Sequence, residues 1–354
     1  MPRMFALVLA GAVLAASGTP VTAQERHEVS GSRIAIYNLA GQVTLEPGSG
    51  SAVTVQVTRG GRDAGELKVE QGPFGGRQAL RIIYPSDDIH YPAPGWASGT
   101  EIRVRDNGTF GDQWSRGEDR SDARRVRISG RGDFEAFADL KIAVPQGQQI
   151  EVYLAVGKLS AANVRGDLRL DASSADVSAT GTVGPLVVDV GSGEVTVSDV
   201  QGDVDLDTGS GDVDVTNVRG ELLRIDTGSG SATVSQVQTR IINIDTGSGR
   251  IEVSSATAEQ VRLDTGSGAV RCDLASSPTS LDVDTGSGSV TLTLPSSYSA
   301  TLEIETGSGG IDVDFPVEAR RFGSEHLTGR IGDGRGTLRV DTGSGSVRIV
   351  KRAS

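Results

Sequence analysis

The chain has 354 residues and a formal net charge of -12, an acidic balance that sets nucleic acid aside as a partner because its phosphates demand basic neutralisation. Its single cysteine cannot form an internal disulfide. Its 48 glycines, about twice the usual share, recur at intervals instead of clustering in low-complexity runs, so packing and backbone hydrogen bonds must hold the fold.

In chain order, residues 1–23 read as a secretory signal peptide: Arg3 opens it, Phe5 to Ala16 is a short apolar run, and Val21-Thr22-Ala23 is a small-residue cleavage site. That run is too short to span a membrane, there is no second apolar stretch near 18 residues, and no cysteine stands beside the cleavage site to be lipidated. The expectation is an exported protein, periplasmic or at the cell surface, with no transmembrane anchor. Residues 24–83 read as N-terminal β rungs and a cap, with Glu46-Pro47-Gly48-Ser49-Gly50 placed in the frame of a motif that recurs downstream. Residues 84–133 read as an irregular polar insertion rich in Pro, Gly, Arg and Asp. An insertion of this kind is most often a mobile loop or a cap over the open end of the core, and it is also the one place where exposed aromatics and arginines could form a recognition surface. Tyr91, Trp96, Phe110, Trp114 and Arg116 are therefore the candidate binding residues.

Residues 134–354 form the regular part, entered by the strand "DLKIAVP" at 139–145. The string Asp-Thr-Gly-Ser-Gly begins at Asp207, Asp226, Asp245, Asp264, Asp284 and Asp341, with relatives at Asp171, Asp189 and Glu305. Successive anchors are 18, 18, 19, 19, 19, 20, 21 and 36 residues apart. A period near 20 signals a solenoid whose units complete one another's cores. The residue before each anchor is aliphatic, from Leu170 to Val340, and alternation resumes after the corner in pairs such as Val213/Val215 and Ile251/Val253. The expected fold is an all-β, single-chain β-solenoid (β-helix) with about 18 to 21 residues and two main strands per rung. Cys272 falls in the column of Val215, Val253 and Leu292 and reads as a buried aliphatic substitute.

Asp-Thr-Gly-Ser is also the catalytic loop string of aspartic proteases. Those enzymes need two carboxylates about 3 Å apart sharing one proton, whereas anchors in successive rungs form a line. A corner explains the string without catalysis: glycines permit positive φ, and Asp and Thr side chains bond to turn N–H groups. No catalytic residue is assigned. The column Asp189, Asp207, Asp226, Asp245, Asp264, Asp284, Glu305 and Asp341 is read as a solvated structural ladder with neither metal nor cofactor. Unit charges at rung spacing repel by roughly 0.9 kcal/mol in water. Hydrogen bonds to charged groups, about 1.5–3 kcal/mol each, offset that.

Four features together resemble the bacterial putative-adhesin family of DUF4097-like proteins. They are an N-terminal G-x-V-x-L strand, the approach "KIAVPQG", serial D-T-G-S-G-x-V-x-V rungs and the closing "LTGRIGDGRGTLRVDTGSGSVRIV" at 327–350. The resemblance implies a β-solenoid on or within the cell envelope, and some relatives are associated with envelope-stress signalling. It carries over no catalytic residue.

The remaining motifs point elsewhere weakly. Arg131-Gly132-Asp133 is a chance-prone tripeptide in a Gly-, Arg- and Asp-rich loop; "GRIGDGRG" at 329–336 lacks the Lys-Ser/Thr ending of a phosphate cradle; His27, His90 and His326 have no ligand spacing. The functional expectation is a non-enzymatic envelope scaffold that binds a surface polymer or an envelope protein. An accessory envelope-stress sensor is the alternative. A polysaccharide-active β-helix using pairs such as Asp203/Asp205 or Asp312/Asp314 ranks below both, because carbohydrate clefts usually offer aromatic platforms and residues 155–297 contain none.

Overall fold

Period-two alternation dictates strands with one buried edge, and the computed structural model, which describes residues 24–92, 99–111 and 123–352, is built almost wholly of them. The signal-peptide reading of residues 1–23 lies outside the described residues. Among those residues the one helical element is a single 3-10 turn, Ala64–Glu66.

A central rung has two strands, such as Val204–Ser210 and Val213–Arg219, joined at the Gly-Ser-Gly corner. Each pairs in parallel with its counterpart one rung on, so like stacks on like: Val188 beside Leu206, Leu206 beside Ile225, Ile225 beside Ile244. Partners lie 18 residues apart at Val188 and Leu206, 19 at Ile225 and Ile244, and 20 at Leu263 and Val283. The inward residues of both strands are buried and form a narrow aliphatic core, which suits β-branched side chains on doubly flanked parallel strands. Burying each such side chain contributes about 1.5–3 kcal/mol. Cys272 is buried between Val253 and Leu292, and desolvation, then the Asp273 charge, pushes its thiol up to about 12. It packs as a small apolar residue. The protein is an all-β solenoid.

The corner is held by threonine. Thr246 Oγ1 accepts from Gly249 N (2.7 Å) and donates to Gly230 O of the preceding rung (3.3 Å). Thr265 repeats this with Gly268 N (3.1 Å) and Gly249 O (2.9 Å), and Thr285 with Gly288 N (3.0 Å) and Gly268 O (2.9 Å). One buried hydroxyl thus closes its own corner and fastens it to its neighbour. The expected role of glycine needs correction. Gly193 and Gly211 do adopt positive φ, 139° and 145°, but the later corners do not. There the requirement is close approach: a Cβ on Gly249, Gly268 or Gly288 would lie 1.8 Å from the glycine carbonyl oxygen of the rung before it. Left-handed backbone belongs instead to the looser return turn, where Asn163, Asp199, Asn217, Gln236 and Ser255 have φ of 53–56°.

Chain order and spatial order part company after Asp284. Asp284 pairs with Asp341, not with Glu305, and Asp341 then pairs with Glu305. The last strand pair, Gly336–Thr342 and Val347–Lys351, is inserted between the rung of Asp284 and that of Glu305. Threonine confirms the order, since Thr342 donates to Gly288 O (2.9 Å) and Thr306 to Gly345 O (2.8 Å). Strand His326–Ile331 then adds antiparallel to Ala300–Thr306, and Val317–Phe322 to it, closing that side of the rod. The serial spacing of 21 and 36 was therefore not a count of successive rungs.

The N-terminal end also differs from expectation. Strand Gln148–Ala162 pairs along its length with both Gly166–Thr180 and Arg33–Pro47. The anchor column continues from Asp171 to Tyr153 and Tyr37, so Glu46, which pairs with Ala143, is not an anchor. Part of the insertion is regular: Asp88–His90, Thr100–Arg105 and Ala123–Ser129, with Phe134–Glu135 just beyond it, form a separate four-stranded sheet.

Candidate functional site

The anchor residues face outward beside a second outward column, two residues earlier in each strand. In spatial order that column reads Arg169, Val187, Asp205, Arg224, Asn243, Arg262, Asp282, Arg339, Glu303. Its arginines serve the anchors. Arg169 lies 3.7 Å from Asp171 and 3.4 Å from Asp189; Arg224 lies 3.7 Å from Asp205 and 3.5 Å from Asp226; Arg262 lies 3.4 Å from Asp264. The rungs of Asp245 and Asp284 carry Asn243 and Asp282 at that position instead. Their carboxyls are held above the ordinary range, first by partial burial and then by neighbouring charges: Asp264 and Asp226 on Asp245, and Asp264, Asp341 and Asp282 on Asp284. The result is a ruled surface on which a column of carboxylates runs beside a mixed column in which guanidiniums recur at Arg169, Arg224, Arg262 and Arg339. Among the described residues, no corner N–H bonds to Asp226, Asp245, Asp264, Asp284 or Asp341, so the self-capped carboxylate ladder gives way to hydroxyl-capped corners with carboxylates outside them, of which Asp226 and Asp264 are ion-paired.

At its N-terminal end the column is covered. Tyr153 and Tyr37 stack with ring centroids 4.5 Å apart and planes 5° from parallel, and Phe110 meets their edges at 6.5 and 6.0 Å. Arg77 Nη1 donates to Glu151 Oε2 and to Tyr153 OH (3.1 Å), while Tyr153 OH donates to Glu151 Oε2 (2.7 Å). Burial pushes the Tyr37 phenol up to about 12 and that of Tyr153 upward as well, so both stay neutral and act as packing groups. The other end opens into a recess of about 420 Å³ walled by Glu305, Asp341, Arg321, Glu325 and His326.

The aromatic binding set fares differently from the ladder. Phe110 is buried on Tyr37 and Tyr153, and Tyr91 is buried with Phe137 at 5.5 Å, so neither is an exposed contact residue: the inserted sheet uses them to seat itself on the rod. Trp96, Trp114 and Arg116 lie outside the described residues. The buried Arg77, Glu151 and Tyr153 network was missed in the sequence. Its signal was present in the parallel strings "IAIYNLAG" at 34–41 and "IEVYLAVG" at 150–157, which align Tyr37 with Tyr153 and Gly41 with Gly157.

Comparison with known proteins places the fold. The family described as Toastrack DUF4097 matches residues 125–350, which takes in the rungs and the C-terminal closure. No curated protein matches the chain. A solved structure of a "putative cell adhesion protein" from Clostridium sporogenes shares 10% identity, over 93% of this chain and 99% of that one, with a TM-score of 0.20. At that score the likeness carries no information on function.

Proposed function

The chain belongs to the Toastrack DUF4097 family, and from that membership we propose that it is an exported, non-enzymatic scaffold of the cell envelope whose outer face binds an envelope polymer or protein. The observation that supports this is the in-register outward face. Parallel stacking sets an outward side chain at the same position of each rung, about 4.8 Å on, and the threonine corners hold that spacing from Thr246 to Thr342. A surface ruled in this way is suited to a ligand that is itself extended or repetitive. Acceptors on such a ligand would engage Arg224, Arg262 and Arg339, and donors would engage the anchor carboxylates.

The test is co-sedimentation of the purified protein with isolated envelopes, beside the triple variant Arg224→Gln, Arg262→Gln and Arg339→Gln. Binding that weakens in the variant and falls with added salt supports the scaffold reading. Absence of binding by the wild-type protein sinks it and leaves a soluble partner or stress-sensing role as the successor. Replacing the whole insertion is a poorer test, because loss of Phe110 uncovers Tyr37 and Tyr153.

A further inference from the structure

The rung at 336–351 fills a slot whose two walls both precede it in the chain. Strand Val290–Leu294 belongs to the near wall, the rung of Asp284, and Ala300–Thr306 to the far wall, because the strands Gly336–Thr342 and Val347–Lys351 lie between them. The crossover at 295–299 joins the two walls directly, so withdrawing the inserted rung cuts no connection between them. The far wall also carries its own closure, the antiparallel strands His326–Ile331 and Val317–Phe322. Slot and closure are therefore both specified before Gly336, and the chain reaches the slot only through the turn at 332–335.

The contacts inside the slot are those of the other rungs. Thr342 Oγ1 accepts from Gly345 N (3.0 Å) and donates to Gly288 O (2.9 Å), and Gly345 O accepts from Thr306 Oγ1 (2.8 Å). A Cβ on Gly345 would lie 1.9 Å from Gly288 O, and one on Gly309 2.0 Å from Gly345 O, the same close approach as at Gly268. Leu338 and Val340 are buried between Leu281 and Val283 on one wall and Leu302 and Ile304 on the other. Arg339 stands in register between Asp282 and Glu303, and Arg348 lies 3.5 Å from Asp312. None of these contacts depends on which chain supplies the rung. What assigns the rung to its own slot is the turn, closed by Gly334 N donating to Ile331 O (3.2 Å), with Gly332 and Gly334 at left-handed φ of 57° and 69°. Pulled straight, those four residues span about 13 Å and need no left-handed backbone.

We propose that the rung at 336–351 exchanges between two copies of this chain, each copy seating its rung in the slot of the other, with residues 332–335 as the hinge. The occupant of the slot is a second copy because this rung brings a cation to both walls, at Arg339 and at Arg348, and matches their aliphatic columns residue for residue. The rung of Asp264 carries Arg262 and Arg271 at the same two positions, but it is continuous in sequence with the rungs on either side of it and cannot be lent. Exchange places two outward faces on one particle, with Arg339 of each face supplied by the partner, and it does not depend on what those faces bind.

The test uses two proteins in a Cys272→Val background, one carrying Asp282→Cys and the other Arg339→Cys. The two positions are Cα partners, within reach of a disulfide, so a native-geometry link between the proteins requires the rung of one in the slot of the other. Equimolar amounts are refolded together from denaturant at low and at high concentration, oxidised mildly and mapped by mass. In the control the two are folded apart and then mixed. The expected result is a covalent dimer linked from 282 to 339 in the co-refolded sample, increasing with concentration, and at most traces of it in the control. Gly334→Val, made in the otherwise unaltered chain, is the second variant. A Cβ there meets nothing closer than Thr301 at 3.5 Å, but a β-branched residue resists the left-handed φ that the closed turn demands and the straight hinge does not. Its dimer-to-monomer ratio on size exclusion after refolding is expected to rise by about tenfold. Absence of the link at every concentration, equal amounts in the co-refolded and mixed samples, or a Gly334→Val ratio no higher than that of the parent chain overturns the proposal.

Discussion

From Asp189 to Asp284 each rung stacks on the one before it in sequence, and beyond Asp284 it does not. Both regions use the same parts: an aliphatic residue before the anchor, a buried threonine and a glycine at van der Waals limit. The difference teaches that a repeat motif specifies a rung without specifying its neighbour. The corner of Thr342 seats on Gly288 as well as that of Thr306 seats on Gly345, since every corner presents the same carbonyl and the same hydroxyl. Order at the C-terminal end is decided elsewhere. In spatial order the outward column runs Arg262, Asp282, Arg339, Glu303, with signs alternating, whereas sequence order would put Asp282 directly beside Glu303. Like charges opposed across strands are destabilising. The antiparallel strand His326–Ile331 also occupies the far side of Ala300–Thr306, which leaves that rung only one parallel neighbour.

The largest test of the shared parts is glycine. Gly268→Ala drives a Cβ to 1.8 Å from Gly249 O, backbone against backbone, and is expected to cost at least the upper part of the about 1–3 kcal/mol typical of overpacking. Gly310→Ala, with nothing within 4 Å and no left-handed φ, is expected to change stability by less than about 0.5 kcal/mol. Denaturant unfolding measures both, and comparable losses at the two sites would break the close-approach argument.

Threonine comes next. Thr265→Val keeps the shape but strips Gly268 N and Gly249 O of a partner, a loss of about 1–3 kcal/mol. Thr208 is buried with its hydroxyl lacking a partner among the described residues, so Thr208→Val is expected to be neutral or stabilising. The pair of melting curves therefore distinguishes a hydroxyl that fastens two rungs from one that fills space.

Smaller effects lie on the outer face. The carboxyls of Asp245 and Asp284 sit above their ordinary range, so the folded state binds more protons than the unfolded state between the ordinary and the raised values. Their contribution to stability accordingly falls as pH rises through that window and is regained as pH falls. Asp245→Asn is expected to raise the melting temperature slightly near neutral pH, by an amount that shrinks with added salt. A fall in melting temperature on that substitution means the carboxylate is serving a partner. Calcium, the smallest effect, is expected to leave the melting temperature unchanged, and a rise of many degrees on titration would make the ladder a cation site.

Much of this architecture was legible in the sequence. The strand faces follow from Leu206 and Ile225 preceding their anchors, and the burial of Cys272 follows from its register with Val253 and Leu292. Three things were not, each for a physical reason. Interchangeable corners hide their order, so Arg339 rather than the motif carried the information. An outward tyrosine looks like a surface residue until a second sheet covers it, so Tyr37 and Tyr153 gave no sign of burial by themselves. A corner string gives no hint of which polar group closes it, and the buried threonine was overshadowed by the charged aspartate beside it.

The most direct test of the out-of-order rung is a cysteine pair in a Cys272→Val background. Asp282 and Arg339 are Cα partners on adjacent strands, so the pair Asp282→Cys and Arg339→Cys falls within the roughly 4.4–6.8 Å that a disulfide spans. Asp282→Cys with Glu303→Cys has the strand of Arg339 between its members and lies about two rung spacings apart. Mass mapping after mild oxidation should find an intramolecular link in the first protein and none in the second. The reverse pattern would show that the rungs stack in sequence order and contradict the account.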